Sequence, residues 1–224
     1  FGDHPSDSSL PAHGFARNLL WQVSATRIED DSTSITLQLK DTESCRKLWP
    51  HRFLLQLTLI LNHRLSLTLT SRNTDRLPVE ISEALHSYFA LDDIAAAQIQ
   101  GLEGVIYRDK MDDLRARSSN GAIAIDGETD RVYTDTTDTV CLVDHNLKRQ
   151  IHIAKMGSLS TVVWNPWLEK ASSMQDFEDG GHRQMLCIET ANALNNQFRL
   201  APGAEHSLTC IIRSESRDDR LSDN

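Results

Sequence analysis

The sequence predicts an all-β fold, a large antiparallel sandwich, and three observations carry that prediction. Apolar and polar residues alternate with period two in many short runs. Those runs are punctuated by Asn, Asp and Gly at spacings that suit tight turns. Stretches at helical spacing are nearly absent, and only Asp93 to Gln98 and Trp167 to Phe177 have room for a turn or two of helix.

The elements follow in chain order. Ile35, Leu37 and Leu39 alternate with Thr36, Gln38 and Lys40, the pattern of a half-buried strand. Leu55, Leu57, Leu59 and Leu61 form the next strand, and Leu65, Leu67 and Leu69 return, with Asn62-His63 as the hairpin turn. The apolar run Glu83 to Phe89 reads as a strand. Ile123-Ala124-Ile125 and Arg131-Val132-Tyr133 flank Asp126-Gly127, which predicts a second hairpin. Val140 to Val143 and Gln150 to Ile153 flank Asp144-His145-Asn146 and predict a third. Leu159 to Trp164, Met185 to Thr190 and Leu208 to Arg213 complete the series. A chain of 224 residues fits one sandwich, so residues 1–214 are expected to form one domain. Residues 215–224 are expected to be a polar, frayed tail.

Composition excludes several classes. The chain has 32 acidic and 23 basic residues, a formal net charge of −9. That balance speaks against nucleic acid and anionic membranes as partners, since both select a basic footprint. No stretch approaches the ~20 apolar residues of a membrane span. Phe1-Gly2-Asp3-His4-Pro5 lacks the basic start and apolar middle of a signal peptide. Cys45, Cys141, Cys187 and Cys210 are widely spaced and are read as free thiols of a reducing, cytoplasmic compartment. The start without Met, directly on a Phe-Gly-x-x-Pro turn, is read as following an N-terminal part that the sequence does not include. The histidines show no metal-ligand spacing, so no metal is expected. Monomer is the favoured state.

Two titratable side chains sit inside apolar, strand-like runs: His86 in Glu83–Phe89 and Glu189 in Leu186–Asn192. Burying such groups unpaired is costly, so they are kept where partners satisfy them or where they are used. A histidine and a glutamate facing one pocket suit proton transfer. Strand alternation puts Ala84, His86 and Tyr88 on one face, and Met185, Cys187 and Glu189 on one face of the second strand. Desolvation then raises the carboxyl pKa. The alternatives are a core histidine tied to a neighbouring backbone and a strand-edge carboxylate in a salt bridge.

Five segments occur in order: Pro11-Ala12-His13-Gly14-Phe15-Ala16-Arg17-Asn18, Trp49-Pro50-His51-Arg52-Phe53, the His86 run, Trp164-Asn165-Pro166-Trp167, and the Glu189 run. Together they resemble the hexose-6-phosphate mutarotases, or glucose-6-phosphate 1-epimerases, of the aldose 1-epimerase superfamily. The resemblance implies the large twisted β-sandwich of the galactose mutarotase type. Family members carry further residues ahead of this start, including an arginine of the sugar site, so the sandwich is expected to lack N-terminal strands.

The resemblance also implies a cofactor-free isomerase acting on a small-molecule sugar phosphate. It makes His86 the acid at the ring oxygen and Glu189 the base at the C1 hydroxyl. The two exchange roles on ring closure, which a histidine near its ordinary pKa is suited to do. Arg17 is implied at the phosphate, where a guanidinium fork matches the ligand. His13 and Asp130 are implied at sugar hydroxyls; the alternatives are a turn-stabilising His13 and an Asp130 paired with Arg131. Two other functions remain open, a mutarotase of unphosphorylated aldoses and a non-catalytic sugar-phosphate binder on the same fold.

Overall fold

The computed structural model describes residues 10–175 and 177–217. The Phe1–Pro5 turn and residues 218–224 of the expected tail lie outside the described residues. The chain begins with β1 (Gln22–Ile28), β2 (Thr33–Lys40), the short helix α1 (Glu43–Leu48), β3 (Phe53–Leu61) and β4 (Leu65–Asn73). Short strands follow: β5 (Val79–Ile81), β6 (Glu83–Leu85), β7 (Tyr88–Ala90), β8 (Ala97–Gln100), β9 (Tyr107–Asp109) and β10 (Arg115–Arg117). The second half holds β11 (Thr129–Thr134), β12 (Val140–Asp144), β13 (Arg149–Met156) and β14 (Ser160–Asn165). Helix α2 (Trp167–Ser173), β15 (Met185–Asn192), β16 (Phe198–Leu200) and β17 (Glu205–Ser216) complete it.

Every strand pair is antiparallel. One sheet has eight strands in the order β1-β2-β3-β4-β17-β13-β12-β8. A second has seven, β10-β9-β11-β14-β15-β6, with β7 also on β15, and β16 and β5 form a two-stranded third among the described residues. The facing sides of the two large sheets interdigitate as one apolar core. Leu142, Ile151, Ile153 and Leu208 come from the first sheet, and Leu85, Tyr133, Leu186 and Ile188 from the second. The alternation in β2 and β4 fits this, since one face of each strand turns inward and the other outward, while β3 departs from it at Leu54 and Ile60. In contrast β15 is buried along its whole length. It lies between β14 and the edge strands β6 and β7 and carries Glu189 of the candidate site.

The β3–β4 and β12–β13 hairpins form as the sequence predicts. The hairpin predicted between 123–125 and 131–133 does not. Ile123 instead exchanges both backbone hydrogen bonds with Ile99, at 2.9 and 2.8 Å, while β11 is paired on both sides by β9 and β14. Ile123 and Ile125 enter the inter-sheet core, so burial of two large apolar side chains outweighs the local Asp-Gly turn signal. Asp93 caps only a 3-10 turn, Ile94–Ala96, before β8 begins. The last strand runs to Ser216, opposite Arg149, two residues beyond the boundary expected for the tail. Among the described residues, no helix is long and apolar enough to cross a membrane.

Gly157 joins β13 to β14 at φ +66°, and its carbonyl accepts from Asn192 Nδ2 at 2.8 Å and pairs with His206 Nε2 at 2.8 Å. A Cβ there would stand 2.0 Å from Ser207 O. Gly157→Ala is therefore expected to cost about 3 kcal/mol or more, since strained backbone and backbone overlap add. Urea unfolding checks this, and a loss below about 0.5 kcal/mol, the range of neutral surface changes, contradicts it.

Candidate active site

Strand β15 sends Leu186 and Ile188 into the inter-sheet core, so alternation turns Cys187 and Glu189 to the other face. Both β6 and β7 pair with β15, through Thr190 opposite Leu85 and Cys187 opposite Tyr88. The sequence reading of one unbroken strand fails at His86 and Ser87, which leave the ladder. Ser87 N–H donates to Leu85 O at 3.1 Å and Ile188 N–H donates to Ser87 O at 3.3 Å. The register nevertheless passes through the break unchanged, which sets His86 directly across from Glu189. His86 Nε2 lies 3.3 Å from Glu189 Oε1.

The break matters chemically. An imidazole freed from the ladder stays partly open, with its side chain 33% exposed, while Glu189 is only 4% exposed. The His86 ring stacks on Tyr88 at 4.7 Å and 22°, and meets the edge of Trp164 at 6.0 Å and 72°. Two aromatic neighbours limit the ring to one orientation toward the carboxyl group. Glu189 Oε2 is buried with no hydrogen-bond partner among the described residues. Such an orphaned atom costs about 1–3 kcal/mol, and a fold retains that cost at sites where a ligand completes the set.

Burial pushes the Glu189 carboxyl up to about 8; the Asp130 anion adds to this and Lys110 opposes it. His86 moves the other way. Burial, then the charge interactions with His13 and Arg17, hold its imidazole below the ordinary 6.5, against a pull from its own backbone and Asp130. The sequence expectation of a near-ordinary histidine is corrected accordingly. At neutral pH the carboxyl keeps its proton and the imidazole is uncharged.

His13 and Arg17 reach this place because two of the sequence segments pack on each other. Phe15 sits 6.5 Å from Trp49 and 5.9 Å from Phe53, and Trp49 lies 5.8 Å from Phe53. Leu39 and Cys45 fill the rest of this satellite core. The Pro11–Gly14 turn closes through Gly14 N–H to Pro11 O at 3.2 Å, with His13 itself at φ +60°. That backbone region is uncommon for a non-glycine residue and is often found at functional positions. Arg17 lies in the 3-10 turn Ala16–Asn18, and its Nη2 donates to Ala12 O at 3.4 Å. A cleft of about 690 Å³ lies among this segment, β3 and β4 of the first sheet, and β5 and β6, lined by His13, Arg17, His86, Tyr88 and Glu189 among others.

Asp130 lies on β11 opposite Trp164, which in turn lies opposite Cys187 on β15. Its carboxylate pairs with Lys110 Nζ at 3.1 Å and not with Arg131; the Arg131 guanidinium sits 5.1 Å over the Tyr107 ring. Asp130 is not part of the cleft wall, yet it acts on both His86 and Glu189. Sequence reasoning passed over Lys110, whose pairing spans twenty positions and leaves no local pattern. The Trp164–Trp167 segment splits in role: Trp164 faces the pair, while Asn165 is a buried hub bonded to His182 O and Met185 O. Trp167 packs against the core. No cluster of metal-ligating side chains is found among the described residues.

Fold and site together define an antiparallel β-sandwich protein with an imidazole–carboxyl pair in the wall of a cleft. A family model described as aldose 1-epimerase matches residues 3–213, and the chain belongs to that family. It is 36% identical over 220 residues to a Cenchrus ciliaris protein provisionally described as a glucose-6-phosphate 1-epimerase, covering 92% of this chain. A protein of Escherichia coli K12 with the same description is 34% identical over 193 residues, covering 86% of the chain. The chain spans 64% of the length of each of these relatives. A crystal structure of a provisionally described mutarotase from Salmonella typhimurium superposes with a TM-score of 0.89 at 30% identity. That match covers 97% of this chain and 72% of the other.

Proposed function

We propose that the chain interconverts the α and β anomers of a hexose 6-phosphate of the glucose 6-phosphate type. The observation that carries this reading is the 3.3 Å contact between His86 Nε2 and the buried Glu189 Oε1, inside a cleft that also holds Arg17. The descriptions of the Cenchrus ciliaris and Escherichia coli relatives support the substrate class.

Anomer exchange needs one proton delivered to the ring oxygen and one taken from the C1 hydroxyl. The ring C1–O bond then opens to a carbonyl, and closure on the other face reverses both transfers. His86 serves the ring oxygen and Glu189 the C1 hydroxyl. The pair enters with one proton between its members. At rest that proton is on the carboxyl, and one hop to Nε2 yields the imidazolium and carboxylate that open the ring. Positioned acid–base groups contribute typically ~10²–10⁴-fold each. Tyr88 and Trp164 fix the imidazole, His13 serves a sugar hydroxyl and Arg17 the phosphate, while Asp130, outside the cleft wall, acts on the pair through its charge. The partner is a small-molecule sugar phosphate, and four free thiols suit a reducing, cytoplasmic setting.

Two-dimensional NMR exchange on equilibrated glucose 6-phosphate, with glucose as control sugar, tests the reading. Cross-peaks between anomers should grow with protein concentration; a folded sample that leaves the spontaneous rate unchanged for both sugars sinks it. Arg17→Ala is expected to raise KM for the 6-phosphate by roughly tenfold or more, the worth of one charge-assisted contact, while leaving exchange of free glucose nearly unchanged. Equal losses for both sugars would mean that Arg17 does not read the phosphate.

A further inference from the structure

Lys110 opens the 3-10 turn Lys110–Asp112 directly after β9. Its Nζ donates to Asp130 Oδ2 at 3.1 Å, and the two side chains are only 22% and 15% exposed. Strand β14 alone separates Asp130 from β15. Asp130 and Glu189 are thus neighbouring carboxyl groups on one sheet face, and Asp130 is ion-paired. Two carboxylates that share a site disfavour ionisation of each other, and a cation on one relieves the other.

We propose that Lys110 is a positioning residue of the acid–base pair: it neutralises and orients Asp130, and so sets how readily Glu189 gives up its proton. The inference rests on the reading of His86 and Glu189 as that pair. Other charged or titratable groups stand at this spot: the Cys187 thiol on β15 shares the face of Glu189, and burial, with Glu189 adding, pushes it far up so that it stays neutral. Lys170 on α2 pairs with Glu128, which precedes β11, at 3.3 Å, and both act on Asp130. His86 stands across from Glu189, with His13 and Arg17 beyond it. Asp109 is engaged in capping Met111 N. Lys110 is the cation that acts on both carboxyl groups, and its effect on each is to favour the anion.

The sign of the consequence is fixed. Without the Lys110 charge, the Asp130 anion is unbalanced and Glu189 holds its proton to higher pH. Without the Asp130 charge, Glu189 releases its proton at lower pH. A purely structural ion pair predicts lower stability in both variants and no such opposite movement.

The test follows the Glu189 carboxyl carbon by ¹³C NMR in protein labelled at glutamate, with the resonance assigned by its loss in Glu189→Gln. In Lys110→Met the titration midpoint is expected to rise by roughly half a pH unit or more, as for a charge interaction of partly buried groups. Lys110→Arg should restore it, and Asp130→Asn should move it downward. In the anomer-exchange assay the alkaline limb of kcat/KM should move with the midpoint. An unmoved midpoint in folded Lys110→Met overturns the proposal; if that variant does not fold, an unmoved or raised midpoint in Asp130→Asn does so. Because the NMR readout is independent of turnover, moving midpoints without any exchange activity would overturn the acid–base reading and leave the Lys110 assignment standing.

Discussion

Glu189→Gln is expected to remove anomer exchange and, at neutral pH, to make the protein more stable. The loss follows from geometry. Gln keeps the shape of the side chain and its place 3.3 Å from His86 but neither accepts nor returns a proton at the C1 hydroxyl. A drop of ~10³-fold or more is the scale for such a group, enough to bring exchange down to the spontaneous rate. The stability gain follows from linkage. The folded carboxyl titrates at about 8 against an ordinary 4.5, so between those values the folded protein holds a proton that the unfolded chain has released. The contribution of this group is therefore fully present below 4.5 and is lost as pH rises to about 8. At pH 7 the cost is on the order of 3 kcal/mol, and an amide does not carry it. Urea unfolding of the two proteins should coincide near pH 4.5 and diverge toward pH 8, with the variant higher. Retained exchange would overturn the assignment of Glu189, and a stability difference that does not change with pH would overturn the account of its burial. The wild-type carboxyl thus trades stability for chemistry.

Much of this site was legible in the sequence, for a physical reason. Period two is a property of single strands, so the faces of Glu189 and His86 and the hairpins around Asn62 and His145 follow from alternation alone. What alternation does not encode is which strands become neighbours. The segment 123–125 carries the turn chemistry of a hairpin yet pairs with Ile99, because its two isoleucines are drawn into the core from the other sheet. The break at His86–Ser87 is likewise invisible, since an unpaired residue that keeps register leaves the pattern intact. Helix α1 was missed because only Cys45 on it is buried, which leaves no apolar stripe to read. Asp130 was found through the resemblance, but its partner Lys110 is distant in sequence and its charge pair depends on tertiary packing.

Replacement of His86 is expected to remove one limb of a bell-shaped pH profile. The working state of the pair carries one proton. A second proton, on the imidazole, fills the base at low pH, and loss of the only proton at high pH leaves no acid. Burial and the charge interactions with His13 and Arg17 hold His86 below 6.5, so the acid limb of kcat/KM lies below that value. The alkaline limb follows Glu189, near 8. His86→Asn keeps the side-chain volume against Tyr88 but cannot carry the proton, and kcat/KM should fall by ~10²–10⁴-fold. The acid limb should vanish with it while the alkaline limb stays, because Glu189 still titrates. In the wild type a bound phosphate offsets the Arg17 charge that helps hold His86 down, so the acid limb of kcat should lie at higher pH than that of kcat/KM. Anomer-exchange rates across pH 5 to 9.5 at low and saturating glucose 6-phosphate measure all three quantities. An acid limb that persists in His86→Asn would assign it to another group, and coincident acid limbs for kcat and kcat/KM would place the phosphate out of electrostatic reach of His86.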